Sequence, residues 1–419
     1  MLNKQGPLAI AALIAVFVAV HFGFAGEGFE PSVAGPVMLG GIAYLLMTCS
    51  IVLATRAAFL EGFFGGLDRM YQVHKFCGIF SLLLILPHFF LAPKDLPPGA
   101  DPAVNAIAPS APLGMIAMIL LVLSLVISLN RKISYSRWRP IHKAMGLVYV
   151  LATLHFLTIP DAFAAAFGPT VPLLMVAGAV GMLCYLYSMF GMNKRTALEY
   201  RIDEVNAMER ATELVLSPVG PALQYKAGQF AFLEIEGSDW NEPHPFTISS
   251  SPGDDKLRFT IKVLGDWTRK VREELQPGGK VLVRGPYGRF DTKNAGKQQI
   301  WLAGGVGLTP FLSSLRDMKP GDDRQVHLVY AARDKGDAIY LDELRSRAAE
   351  LGNVKLIPLF SDEGNFARVD KMKENLPDPL SSYDYFMCGP RPMVDGLRKD
   401  LKAEGVGRGQ VHTEAFEFR

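Results

Sequence analysis

The sequence predicts a multidomain membrane protein: a six-helix transmembrane bundle, then a small antiparallel β-barrel, then an α/β domain. Three observations predict it. Six long apolar stretches fill the chain before Asn193, short alternating runs cut by Gly and Pro turns follow to about Asp291, and strand, glycine turn and helix then succeed one another. The expected domains are residues 1–193, 194–295 and 296–419.

The apolar stretches are Leu8–Phe24, Val37–Leu60, Tyr71–Leu91, Leu113–Asn130, His142–Ile159 and Val171–Met192, each long enough to span a hydrocarbon core. Lys4, Arg56, Arg69, Lys75, the cluster Arg131, Lys132, Arg137, Arg139 and Lys143, and Lys194 with Arg195 all fall on one side, whereas the opposite loops offer only Lys94. The positive-inside rule then puts both termini, and everything after Asn193, in the cytoplasm of a multi-pass cell-membrane protein. The first stretch lacks a small-x-small cleavage site near Ala25, so it is expected to be retained. A net charge of +2 without a continuous basic stripe gives no footprint for nucleic acid. Cys49, Cys77, Cys184 and Cys388 show no CxxC spacing, which argues against a disulfide framework, a zinc site or an iron–sulfur site.

Four histidines of the apolar half recur at two similar spacings, His74 and His88 fourteen apart, His142 and His155 thirteen apart. Fourteen helical residues rise roughly 21 Å, and fourteen steps of 100° bring the second ring to within roughly 40° of the first. His74 and His88 therefore share a helix face. Polar groups at bilayer depth are costly, and neutral imidazole is a good iron ligand whose second nitrogen can donate to a partner, so the pattern reads as a ladder for two stacked haems. Thirteen steps leave His155 roughly 140° from His142, which requires a helix irregularity or tilted rings.

In the next region Phe230–Ile235, Lys256–Val263 and Lys280–Val283 have strand texture, consistent with an antiparallel barrel. Within it lies His244-Pro245-Phe246-Thr247-Ile248-Ser249-Ser250, a rigid extended segment whose hydroxyls offer hydrogen bonds to a ring edge or phosphate. Lys262 precedes Gly265-Asp266-Trp267-Thr268 and a helical pattern, a setting that favours an anionic group.

The run Gln299–Ala303 is an apolar strand followed at once by Gly304-Gly305-Val306-Gly307-Leu308-Thr309-Pro310 and a helix. Glycines let the backbone approach a phosphate, and Pro310 suits a first helical turn. Alternation continues through Val326–Tyr330, Leu341–Glu350, Lys355–Leu359 and Tyr385–Met387, the last ending in Cys388-Gly389-Pro390. Arg333, just past Val326–Tyr330, is placed to meet a ribose 2′-phosphate, although an exposed loop arginine fits equally well. Cys388 either positions a nicotinamide through its sulfur or fills the core.

These residues resemble a known family, the NADPH oxidase and ferric reductase superfamily, and within it the compact prokaryotic NADPH oxidases. The resemblance is carried by Val73-His74-Lys75-Phe76 with His88, the HPFTISS and LGDWT runs, Gly285-Pro286-Tyr287-Gly288, GGVGLTP, Cys388-Gly389-Pro390 and Glu414-Ala415-Phe416, in family order over nearly the whole chain. It implies a ferric-reductase-like bundle followed by a ferredoxin-NADP reductase-like pair of domains. It further implies haem b ligation by His74 with His142 and by His88 with His155. His244, Pro245, Phe246 and Thr247 would line FAD, with Lys262 and Thr268 at its phosphates. Gly304, Gly305, Gly307, Thr309, Pro310, Cys388, Gly389 and Pro390 would hold NADPH or NADH, and Phe416, in preference to Phe418, would stack on the flavin. Gln229, which recurs in the family, is read as barrel structure. Where animal oxidases carry another histidine four residues after the position of His88, this chain has Ala92. It has no EF-hand and no proline-rich tail, so no protein activator is expected.

Electron counting fits that parts list, because nicotinamide gives up two electrons as a hydride and a haem accepts one, so a flavin must stand between them. The expected activity is an NAD(P)H oxidase that sends electrons through FAD and two haems to molecular oxygen outside, forming superoxide. A ferric-chelate reductase with the same path is the alternative. An electron-relay subunit for a periplasmic partner is a third reading, disfavoured because a relay needs no hydride-donor site.

Overall fold

The computed structural model describes residues 5–24, 31–92, 110–130, 132–133, 135–159, 165–192, 197–237, 240–374 and 376–414. The chain divides into two compact units, one to residue 195 and one from residue 196.

The first unit contains six helices long and apolar enough to cross a membrane. They are Gln5–Phe24, Pro31–Ala54, Leu67–Leu91, Ser110–Leu129, the broken helix Tyr135–Lys143 with Met145–Leu157, and Val171–Met189. Many of their outward side chains are apolar, Phe90, Leu123, Val126 and Leu183 among them, as expected of a surface that faces lipid. The second span differs from the expected Val37–Leu60. It starts at Pro31 and ends at Ala54, because Arg56 takes a left-handed φ of 58° and the chain restarts as a separate short helix, Ala58–Phe64. At mid-depth Tyr44 and Tyr149 stack with centroids 5.2 Å apart. Their hydroxyls pair with Thr153 at 2.8 Å and Thr48 at 2.7 Å, joining neighbouring helices without leaving a polar atom to lipid.

The second unit holds two sheets. The first is antiparallel and contains β1 (Leu198–Ala207), β2 (Ala211–Pro218), β3 (Phe230–Ile235), β4 (His244–Thr247), β5 (Leu257–Lys262) and β6 (Lys280–Tyr287). Its order is β4-β3-β6-β1-β2-β5, and a bridge between Ile248 and Phe259 brings its two edges together into a nearly closed barrel. Leu214, Leu216, Leu233, Phe259, Ile261 and Val283 fill it, each contributing about 1.5–3 kcal/mol by burial.

The second sheet is parallel, with β7 (Gln298–Gly304), β8 (Gln325–Ala332), β9 (Val354–Phe360), β10 (Asp384–Cys388) and β11 (Val411–Glu414) in the order β11-β10-β7-β8-β9. Along β7, Ile300 and Leu302 enter one core with Tyr385 and Leu397. Trp301 and Ala303 enter another with Phe311 and Leu315. Both faces are covered, which is why the strand reads as a continuous apolar run.

Candidate functional site

In the membrane unit the structure brings together His74 with His142 and His88 with His155. Their ring centroids are 5.8 Å and 6.3 Å apart, with inter-ring angles of 71° and 73°. An imidazole nitrogen sits about 2.0–2.1 Å from a bound metal and its ring centre roughly 1.1–1.2 Å further on, so two imidazoles trans across one metal have centres about 6.2–6.6 Å apart. The His88–His155 pair meets that separation and the His74–His142 pair is a few tenths of an ångström short.

The thirteen-residue spacing is accommodated by a break. Pro140 lacks the N–H that a continuous helix would use, Ala144 takes ψ −12° between the two helical segments, and the N–H of Leu147 turns back only three residues to the Ala144 carbonyl at 2.9 Å. His142 lies before this break and His155 after it, so the second ring recovers the direction that an unbroken helix would deny it.

Each ring is also oriented through Nδ1. His88 donates to the Pro36 carbonyl at 2.8 Å, His155 to the Ser110 carbonyl at 2.7 Å and His74 to the Ser50 carbonyl at 2.8 Å, while His142 Nδ1 lies 3.0 Å from Ser128 Oγ. Facing a carbonyl, Nδ1 must carry the hydrogen, which leaves the Nε2 lone pair for a metal. Glycines make room beside the His88–His155 pair. A Cβ on Gly40 would lie 2.8 Å from the His88 ring, and one on Gly114 would lie 2.9 Å from the His155 ring. A cavity of about 410 Å³ meets both rings and is walled largely by apolar side chains such as Met118, Leu121 and Phe156. Its size and lining suit a large, flat, apolar ligand.

Sequence reasoning missed these orienting and space-making residues, because Ser and Gly in apolar helices carry no distinctive signal. It also passed over His21, which is buried, stacks 6.1 Å from Phe17 and reaches the Ala34 carbonyl at 3.1 Å through Nε2.

In the second unit the strand order reverses between β7 and β10, and GGVG follows β7 while Cys388-Gly389-Pro390 follows β10. This is the position at which open α/β sheets take ligands. The two turns touch. A Cβ on Gly307 would overlap the Cys388 carbonyl oxygen, and one on Gly304 would lie 2.7 Å from Pro390 Cδ. Gly305 is different, with φ 54° and open space in which the nearest atom to a Cβ is Lys262 Nζ at 3.6 Å. A cradle with a cation beside it fits a phosphate group. That approach to Gly305 brings Lys262 to the GGVG turn, where it also pairs with Asp337 at 3.8 Å.

Thr309 Oγ1 donates back to the Val306 carbonyl at 3.0 Å, and Pro310 occupies the first helical turn. The Cys388 sulfhydryl is wholly enclosed in the core, and burial with Glu414 nearby pushes its thiol well above the usual range. Arg333 is about half exposed and pairs with Asp334 at 3.3 Å. Phe416 and Phe418 lie outside the described residues.

Around β4 the LGDWT run folds back on the HPFT strand. The His244 ring lies 4.3 Å from Trp267 and Phe246 lies 5.4 Å from it. Strand alternation places Pro245 and Thr247 on the opposite face, so the four HPFT residues form two surfaces rather than one. Thr247 is buried, and its hydroxyl has no hydrogen-bond partner among the described residues, a vacancy that a polar ring edge would fill. The Thr268 hydroxyl accepts from the N–H groups of Leu264 and Gly265 at 2.9 and 3.0 Å, closing the start of its own helix. Ser249 and Ser250 are fully buried and bond within the protein. Gln229 spans from the Lys226 N–H to the Gly288 carbonyl, as a barrel residue does.

Comparison with known proteins agrees with this layout. Residues 39–153 match the ferric reductase like transmembrane component, 208–291 an FAD-binding domain and 301–399 an oxidoreductase NAD-binding domain. The reductase component of propane 2-monooxygenase from Rhodococcus jostii (strain RHA1) is 30% identical over 236 residues, 52% of this chain, and the match spans only 62% of that relative's length. A flavohemoprotein of Bordetella pertussis (strain Tohama I) is 28% identical over 283 residues, 61% of this chain and 69% of that protein. Among solved structures, the flavohem-like FAD/NAD-binding domain of nitric oxide dioxygenase from Vibrio cholerae O1 biovar El Tor overlays with a TM-score of 0.47 at 22% identity, covering 52% of this chain and 98% of that one. A ferredoxin NADP+ reductase from Neisseria gonorrhoeae with bound FAD and NADP overlays at 0.46 and 20% identity, with the same coverage. The three family domains, matched in this order along one chain, place the protein in the NADPH oxidase and ferric reductase superfamily.

Proposed function

We propose that the protein is a transmembrane NAD(P)H oxidase that passes electrons from cytoplasmic NAD(P)H through FAD and two b-type haems to molecular oxygen on the outer side, forming superoxide. The observation that carries this reading is the pair of imidazole couples at 5.8 and 6.3 Å, with three Nδ1 atoms tied to carbonyls and the fourth beside a serine hydroxyl. The chemistry supplied by the bound groups is conversion of a two-electron hydride into single electrons and their passage across the bilayer.

His74 with His142 would hold one haem, on the cytoplasmic side in this reading, and His88 with His155 the other, on the outer side, and each haem would supply one-electron transfer. Thr247 offers its hydroxyl to the flavin, with Pro245 beside it and His244 and Phe246 backed by Trp267. Lys262 and Thr268 serve the flavin phosphates, and the opening at Gly305 gives Lys262 reach to the nucleotide as well. Arg333 takes a 2′-phosphate when the donor is NADPH, exchanging Asp334 for it. Phe416 would stack on the flavin face, and Cys388 would lie behind the turn that receives the nicotinamide. The cytoplasmic placement of this half follows from the basic residues flanking the spans.

The test is purified full-length protein loaded with haem and FAD. Two haems per chain and superoxide-dismutase-sensitive cytochrome c reduction are expected, and the absence of that reduction rejects the oxidase. A ferric-chelate reductase with the same electron path is the second reading, favoured by the ferric reductase like match over residues 39–153. Iron reduction that persists under strict anaerobiosis, with no superoxide in air, would select it.

A further inference from the structure

The helix Thr309–Asp317 starts directly after the GGVG turn, and Ser313 and Arg316, three residues apart, share one of its faces. That face meets the barrel at the end of the HPFTISS run. Ser313 Oγ donates to the Ser250 carbonyl at 2.6 Å, and Arg316 Nη1 donates to the Ser249 carbonyl at 2.8 Å. Arg316 is itself held rigid. Its Nε and Nη2 form a two-pronged bond with Glu343 at 2.6 and 2.8 Å, and its guanidinium lies 5.3 Å from the Tyr340 ring centre. Tyr340 completes the clasp from the other side by donating to Glu213 on β2 at 2.9 Å, with Thr260 of β5 also at 2.9 Å. Ser313 and Ser250 are wholly buried, so water does not substitute for these bonds.

We propose that Ser313 and Arg316 are positioning residues for hydride transfer, fixing the distance between the nicotinamide turn and the flavin strand through two adjacent carbonyls. The proposal rests on the reading that NAD(P)H reduces FAD in this unit. The reasoning is geometric. The bonded carbonyls lie two and three residues beyond Thr247, and the donors lie six and nine residues beyond Gly307, so slack in the clasp is transmitted to both ligand sites with little chain between. A displacement of 1 Å in a reacting pair costs on the order of 100-fold in rate.

The experiment uses full-length protein with bound FAD, mixed anaerobically with NADPH or NADH, and follows flavin absorbance per bound flavin. Arg316→Lys keeps the charge but reaches only one of its two partners, Ser313→Ala removes the hydroxyl, and Ser313→Thr restores it. The first two variants are expected to lower the limiting reduction rate by about 10- to 100-fold while nucleotide Kd changes less than about threefold, and to raise the isotope effect with 4-deuterated nucleotide. Ser313→Thr should recover most of the loss. An unchanged rate per bound flavin in both variants overturns the proposal, as does lost FAD or a lower Tm with that rate intact, since the bonds would then serve stability alone. Failure of the unsubstituted protein to reduce its flavin would instead refute the proposed function.

Discussion

Replacing Gly114 or Gly40 with alanine should strip the outer haem while leaving the inner one. In the helix both changes favour folding by about 1 kcal/mol, because alanine is the better helix former, so any loss must come from the added methyl. At Gly114 that methyl would lie 2.9 Å from His155 Cε1 and Nδ1, and at Gly40 it would lie 2.8 Å from His88 Cε1. Reaching an ordinary 3.4 Å contact requires each ring to retreat by about 0.5–0.6 Å, whereas metal–ligand distances tolerate only about ±0.2 Å. Retreat also stretches the Nδ1 bonds to Ser110 and Pro36, the partners that aim the rings. Losing such an orienting bond typically weakens a metal site about 10- to 100-fold. The assay is haem per chain by pyridine haemochrome, with a redox-difference spectrum to resolve the two centres. Gly23→Ala is the control, in the first helix, which carries none of the four histidines and where a Cβ meets nothing within 4 Å. Retention of both haems in Gly114→Ala and Gly40→Ala at the unsubstituted ratio would refute the reasoning.

Substituting His88 or His155 by alanine should lower the haem count and abolish reduction of the acceptor while NAD(P)H still bleaches the flavin, which anaerobic and aerobic spectra would separate. Cys388 should resist iodoacetamide at pH 8 in the folded protein and react only after unfolding, because its sulfur is enclosed and its thiol is held neutral. Asp203 is held down to about 2 by its hydrogen bonds with Lys256 at 2.8 Å and Ser217 at 2.5 Å, below its ordinary 3.8. A depressed carboxylate stabilises the folded state above its ordinary value, and that contribution fades as pH falls toward 2. The unfolding temperatures of the natural protein and Asp203→Asn should therefore differ at pH 5 and converge near pH 2; a constant gap would contradict this.

The helical half was largely legible because lipid enforces one simple rule, a run of apolar residues, and because His74 and His88 stand a near-integral number of turns apart. Even the awkward His142 to His155 spacing announced an irregularity, and Pro140 with Ala144 supplies it. The end of the second span was misplaced, since apolar residues run on past Arg56 and only its left-handed backbone stops the helix. In the second unit the motifs were visible but their division of labour was not. GGVG and CGP both read as ligand turns, yet Gly304 and Gly307 are small because the two turns press on each other. The serines of HPFTISS looked like ligand donors, but their partners come from segments distant in sequence, which no local pattern encodes.

That pressed contact bears on how inherited or engineered variants of this enzyme should be understood. Substitutions at Gly304 or Gly307 would pry β7 and β10 apart, and the resulting inactive protein would be mistaken for one that had lost its coenzyme affinity. Gly305 faces open space, but its φ of 54° suits glycine, so the turn is held by contact at two glycines and by backbone conformation at the third, and surveys of tolerated change should find little at any of them.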